Sequence, residues 1–320
     1  MPSSHFPTDP DENAASIVNL GELLFGCLLA IGARSVGEVG AFHGKSTREL
    51  LAWAAANEAR IIAIDPAPEA ELRELAAAHP ELELIERTSV EALGDLEVDA
   101  VILDGDHNYF TLSEELALIE ARNPGAALPL VIAHDIGWPL ARRDAYYAPE
   151  RIPPEHRQPF ARNVFLLPDE PGLAEGGMPF ACVAEREGGP ANGTLTAVEA
   201  FISERPDLRL AVVPAFFGLG FIWHRGAPWA DRVAALLGPW DRNPLFERLE
   251  ANRVRQMAER YRMTKRLDDL EARADAQADA LRALLGSRAF ALAERLSRLR
   301  GGGDAAISRD RVRRALDSEA

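Results

Sequence analysis

Residues 35–47, Ser-Val-Gly-Glu-Val-Gly-Ala-Phe-His-Gly-Lys-Ser-Thr, join a short apolar strand to a helix through a turn that holds two glycines. Val36 and Val39 supply the strand, Gly40 and Gly44 the turn, and Ser46 and Thr47 the start of the helix. Glycine lets a backbone pass close to another group, and the first turn of a helix leaves N–H groups without intrahelical acceptors. A second apolar run, 61–64, ends on Asp65. Two more, within 98–104 and 129–135, end in Asp104-Gly105-Asp106-His107 and His134-Asp135. Strands alternating with helix-length segments are the rhythm of a parallel sheet. In open sheets of that class, ligands sit beyond the carboxyl ends of the strands. Asp65, Asp104 and Asp135 are therefore expected on one rim.

The glycine turn admits several readings. A phosphate-cradling P-loop needs four residues between its glycines, and Gly40 and Gly44 enclose three. A dinucleotide turn needs glycine where bulky Phe42 stands. S-adenosylmethionine carries no phosphate. It needs one glycine turn for its methionine part, an acid before that turn for its ammonium, and an acid on the next strand for its ribose. Glu38, Gly40, Gly44 and Asp65 supply that set. An ordinary strand–turn–helix without a ligand also accounts for this segment taken alone. A strand-end aspartate often caps a helix or orders a turn. That explains one such residue well, and Asp104, Asp106 and His107 opposite His134 and Asp135 poorly.

With these motifs in view, the chain resembles the class I S-adenosylmethionine-dependent methyltransferases, in particular the metal-assisted O-methyltransferases. Glu38 to Ser46 match the first motif without a gap, and the Asp-Gly-Asp-His block with a later His-Asp resembles a branch acting on sugars and other natural products. The resemblance spans roughly residues 15–225. It implies an α/β fold, a doubly wound, seven-stranded, mostly parallel Rossmann-like sheet, and methyl transfer to a hydroxyl of a small-molecule or glycan acceptor. It assigns Glu38, Gly40, Phe42, Gly44, Ser46, Asp65, Thr88, Ser89 and Asp104 to S-adenosylmethionine. Asp104, His134 and Asp135 are implied as ligands of a divalent metal, Mg²⁺ or similar. His134 departs from the family's carboxylate or amide at that position, so it stands behind the ligands or marks a softer metal. His107 is the first candidate for general base and Asp106 the second. Two other classes stay open: an NAD(P)- or nucleotide-sugar-dependent oxidoreductase, and a degenerate methyltransferase domain serving as a coiled-coil assembly module.

Charge narrows the partners. Of 320 residues with net charge −15, the first 240 hold 17 Lys and Arg against 36 Asp and Glu, while the last 80 hold 18 against 14. An acidic body disfavours nucleic acid, whose phosphates need neutralising cations. Two cysteines and no basic-plus-apolar leader are consistent with a cytoplasmic protein.

Three segments are expected. Residues 1–240 form the catalytic domain. Within it, the proline-rich stretch 136–192 is an insertion over the rim that forms a substrate lid, with Trp138, Arg142, Arg143, Tyr146 and Tyr147 suited to a polar ring. Residues 194–204 resume as helix, and 208–213 and 218–223 close the sheet as an antiparallel pair. Residues 241–300 read as a helical, coiled-coil-like extension, with Leu267, Leu270, Ala274, Leu281 and Leu284 near a heptad frame that Gln277 interrupts. Residues 282–300 read as a basic amphipathic segment, first for homodimerisation or packing on a partner, second for peripheral contact with an anionic membrane, and otherwise as a solvated helix. Residues 301–320 are expected to be a disordered tail.

Overall fold

The computed structural model describes residues 16–299. A helix, α1 (Gly21–Ile31), precedes the first strand. Then come β1 (Ser35–Val39), α2 (Lys45–Asn57), β2 (Arg60–Ile64), α3 (Ala70–Ala78), β3 (Leu82–Ile85), the short α4 (Ser89–Ala92), β4 (Ala100–Leu103), α5 (Tyr109–Arg122) and β5 (Leu130–His134). The insertion contributes β6 (Phe160–Leu166) and β7 (Met178–Ala184). After it follow α6 (Thr194–Ser203), β8 (Leu208–Val213), β9 (Leu219–His224), α7 (Ala230–Leu237), α8 (Pro244–Gly286) and α9 (Arg288–Leu299).

Seven strands form one sheet in the order β3-β2-β1-β4-β5-β9-β8. The first five are mutually parallel, and β9 runs antiparallel to both its neighbours. This is the doubly wound, mostly parallel architecture expected. The chain lays β2 and β3 on one side of β1, then crosses to β4 on the other. Such a reversal opens a crevice at the carboxyl ends of the two central strands.

Alternation along each strand builds two cores. Val36, Ile61, Ile102, Ile132 and Phe221 pack with Leu24 and Leu28 of α1, Leu50 and Leu51 of α2, and Val233 and Leu237 of α7. Val39, Ile62, Ile64, Val101, Leu103 and Ile222 pack on the other face with Leu112 and Leu116 of α5 and Val198 of α6. Each fully buried aliphatic side chain contributes about 1.5–3 kcal/mol. Central strands that are apolar on both faces therefore hold their polar ends in fixed register.

The insertion is a two-stranded antiparallel ribbon, β6 with β7, separate from the main sheet. The chain divides into one unit up to Glu259 and another from Arg260. The boundary expected at 240/241 lies ahead of that division. Val254 and Ala258 of α8 are buried, and Glu250 accepts the Phe217 N–H at 2.8 Å, so the first turns of that helix belong to the first unit. The basic amphipathic segment expected over 282–300 is divided by Ser287, between α8 and α9. The expected tail, 301–320, lies outside the described residues. Among the described residues, no helix is long and apolar enough to cross a membrane.

Candidate active site

Strand register brings the site together. Val39 lies opposite Ile64 on one side and Leu103 on the other, and Leu103 lies opposite Ala133. The next residues along these four strands are Gly40, Asp65, Asp104 and His134, with Asp135 one step further. Gly40 donates to the Ile64 carbonyl at 2.9 Å, and Asp104 donates to the Val39 carbonyl at 3.1 Å. Gly40 has φ +85°, and a Cβ there would collide with the Asp104 carbonyl. Close approach of the loop after β4 therefore requires glycine at 40. Gly44, φ +82°, is the N-cap of α2.

Around this turn, carboxylates bind hydroxyls and backbone N–H groups of the site. Buried Glu38 accepts hydrogen bonds from the Ser46 hydroxyl and, at 2.6 Å, from the Thr47 hydroxyl. Burial pushes its pKa up to about 7, with Asp104 and Asp65 adding to the rise against the two hydroxyl bonds. Asp65 accepts the N–H of Phe42 and of Ala67, each at 2.8 Å. That bond holds Phe42 at φ +48° with its ring exposed.

Thr88 and Ser89, expected at the adenine, have hydroxyl partners within the chain. The Thr88 hydroxyl donates to Glu91 at 2.7 Å, and Ser89 bonds Glu115 of α5. Glu115 is a buried group that sequence reasoning missed. Its Oε1 has no hydrogen-bond partner among the described residues, and burial pushes its pKa up to about 8. The folded protein therefore holds this group neutral where the unfolded chain ionises it. Its contribution is fully present below the ordinary value of 4.5 and is lost as pH rises towards 8. Glu115→Gln is expected to flatten the fall in Tm between pH 5 and 8 and to melt a few degrees above wild type at pH 8. Parallel Tm–pH curves for the two proteins would refute this.

At the tips of β4 and β5, donor atoms of Asp104, His107 and Asp135 lie within 4.8 Å of one another. His107 Nε2 stands 3.4 Å from Asp135 Oδ2, and Asp135 has φ +56°. Two carboxylates and one imidazole fit a divalent ion, and the imidazole favours a softer one than Mg²⁺. His134, expected as a ligand, stands outside this trio. Its Nε2 faces the Phe216 carbonyl at 3.0 Å and, since a carbonyl only accepts, must carry hydrogen. Its Nδ1 faces Asp104 Oδ1 at 3.0 Å and Asp135 Oδ1 at 3.5 Å. Burial opposes charge on this ring, but Asp104 and Asp135 outweigh it and push the pKa up to about 9. With Nε2 turned to the Phe216 carbonyl and Nδ1 to Asp104, both ring nitrogens are engaged within the chain, and His134 stands beside the two carboxylates. For Asp104, burial raises the pKa, and the His134 charge and hydrogen bond together with the His107 charge more than reverse it.

Asp106 accepts from the Thr111 hydroxyl at 3.1 Å and the Tyr147 N–H at 3.4 Å; burial raises its pKa against those bonds and the His107 charge. The exposed Tyr147 ring has its centroid 6.0 Å from that of His107. Of the residues expected to meet an acceptor, Tyr147 is placed at the rim, while the arginines are committed elsewhere. Arg142 pairs with Glu199, its Nη1 2.6 Å from Oε2. Arg143 is buried and donates to the carbonyls of Ala184, Pro171 and Gly172. Tyr146 is buried on Asp144, whose carboxylate also takes the N–H of Tyr109 and Gly193. Outside the β6–β7 ribbon, these side chains supply hydrogen-bond partners to loop backbone and tie the insertion to α5 and α6.

Strand order and a rim gathered around a glycine turn give a Rossmann-like, mostly parallel α/β fold. Residues 38–136 match the family model described as "Methyltransferase domain". No curated protein matches the chain. Solved structures similar to it include the SAH-bound methyltransferase PaMTH1 of Podospora anserina, at 16% identity over 68% of this chain and 82% of that one, TM-score 0.42. A candidate caffeoyl-CoA O-methyltransferase of Staphylococcus aureus is 12% identical over 67% and 88%, TM-score 0.42. A candidate O-methyltransferase of Klebsiella pneumoniae is 17% identical over 69% and 92%, TM-score 0.39.

Proposed function

We propose that this chain is an S-adenosylmethionine-dependent O-methyltransferase that acts on a hydroxyl of a small-molecule or glycan acceptor with the help of a divalent ion. One observation carries the reading: the glycine turn and the carboxylates of Asp65, Asp104, Asp106 and Asp135 share one sheet edge, all inside the segment that matches a methyltransferase domain. Such a rim attracts a sulfonium and a divalent cation and repels a pyrophosphate, which disfavours the oxidoreductase alternative.

Glu38, Gly40, Phe42, Gly44, Ser46 and Asp65 would hold S-adenosylmethionine, which supplies a methyl group already activated on sulfur. Asp104, His107 and Asp135 would hold the ion, which lowers the pKa of a bound hydroxyl and stabilises alkoxide charge. His134 keeps the two carboxylates aimed at one point, a task whose loss typically costs about 10–100-fold. With His107 inside the trio, Asp106 is the rim group left to accept the hydroxyl proton. Tyr147 offers an exposed ring on which a sugar or phenol can rest.

Titration with S-adenosylhomocysteine should show micromolar binding; none at millimolar concentration would sink the donor assignment and leave a non-catalytic assembly role. Asp106→Asn is expected to lower kcat by about 10²–10⁴-fold at unchanged product affinity. His107→Ala should abolish the rise in Tm on adding Mn²⁺. If Asp106→Asn stays active while His107→Ala keeps its Mn²⁺ response and loses turnover, His107 is the base.

A further inference from the structure

We infer that residues 263–284 of α8 pair with a second copy of this chain as a parallel, in-register two-stranded coil. The inference is independent of the catalytic reading. Met263, Leu267, Leu270, Ala274, Gln277, Leu281 and Leu284 follow one another at alternating steps of four and three. Five of them are large apolar side chains open to solvent: Met263 64%, Leu267 59%, Leu270 51%, Leu281 43% and Leu284 53%. The frame has definite ends. Arg253, Gln256 and Arg260 occupy it on the N-terminal side, and α8 stops at Gly286. The stripe therefore covers about three heptads, or about 33 Å of helix.

Its width and its flanking charges select the occupant. A membrane-lying helix needs a broad apolar face, whereas a seam of two positions per heptad is the width that a second helix covers. Arg266 and Arg273 precede the first core position of their heptads, and Glu271 follows the second. In a parallel pair, Arg266 of each copy meets Glu271 of the other, twice by symmetry. Neither residue makes an ion pair among the described residues. An antiparallel pair centred on the stripe would set Arg273 against Arg273. Gln277 adds register, because its amide finds a matching amide only when the two copies align without a shift.

The test uses the full chain. Light scattering behind size exclusion should give twice the 34.9 kDa chain mass. The double variant Leu267→Asp, Leu281→Asp should elute at the single-chain mass with unchanged S-adenosylhomocysteine affinity, since both side chains are exposed and outside the site. Gln277→Cys should form a disulfide-linked dimer on air oxidation, against a background of buried Cys27 and Cys182. A monomeric wild type, a double variant that stays dimeric, or a Gln277→Cys protein that fails to cross-link would each overturn the inference. So would a wild type that is monomeric in solution and floats with phosphatidylserine vesicles through the same leucines.

Discussion

Asp135→Asn should lower kcat/KM by at least about 10²-fold, a loss beyond that of a group that merely orients a ligand. Asparagine keeps the shape of the side chain and tolerates the left-handed φ of +56° at this position, so the backbone has little reason to move. What disappears is one negative charge opposite His107 and His134. Product affinity should stay within a few-fold of wild type, because Asp135 is not among the residues assigned to the donor. The Tm increase on adding Mn²⁺ should vanish. Steady-state kinetics with excess Mn²⁺ decides the matter: activity within threefold of wild type would remove the ion from the mechanism.

The second large effect is on stability. Gly40→Ala forces a Cβ into the backbone of Asp104 and Gly105 at a φ of +85°. Strain at such a φ costs about 1–3 kcal/mol and an added core methyl about 1–3 kcal/mol more. A loss of about 2–6 kcal/mol in urea unfolding is expected, a large share of a domain's usual stability. A variant within 0.5 kcal/mol, an experimental margin of about that size, would show that the loop after β4 can retreat. The same substitution should weaken product binding, since Asp104 and Gly40 share that contact.

Much of the fold is legible in the chain. Val36 and Val39, 61–64, 98–104 and 129–135 are short apolar runs with polar ends, and each became a central strand ending at the rim. The closing antiparallel pair, 208–213 with 219–224, was likewise readable from two apolar runs around Pro214. The site was readable only as a set of residues on one edge. Asp65 and Glu38 look alike as strand-end acids, yet one holds the backbone N–H of Phe42 and Ala67 and the other holds two helix hydroxyls. Glu115 gave no signal, because an acid in a helix with polar neighbours at 113 and 114 reads as a solvated face.

Periodicity and turn chemistry act over a few residues, so they suffice to place strands, the glycine turn and the polar strand tips along this chain. Which histidine joins the two aspartates is a different kind of fact. It depends on β5 pairing with both β4 and β9, which brings the Phe216 carbonyl, 82 positions away, onto His134 Nε2 and leaves His107 facing Asp135. The arginines at 142 and 143 were committed in the same way, by carbonyls and a carboxylate 28 to 57 residues downstream. Hydrogen-bond partners at such separations are chosen by packing of distant segments, and no local pattern encodes that choice.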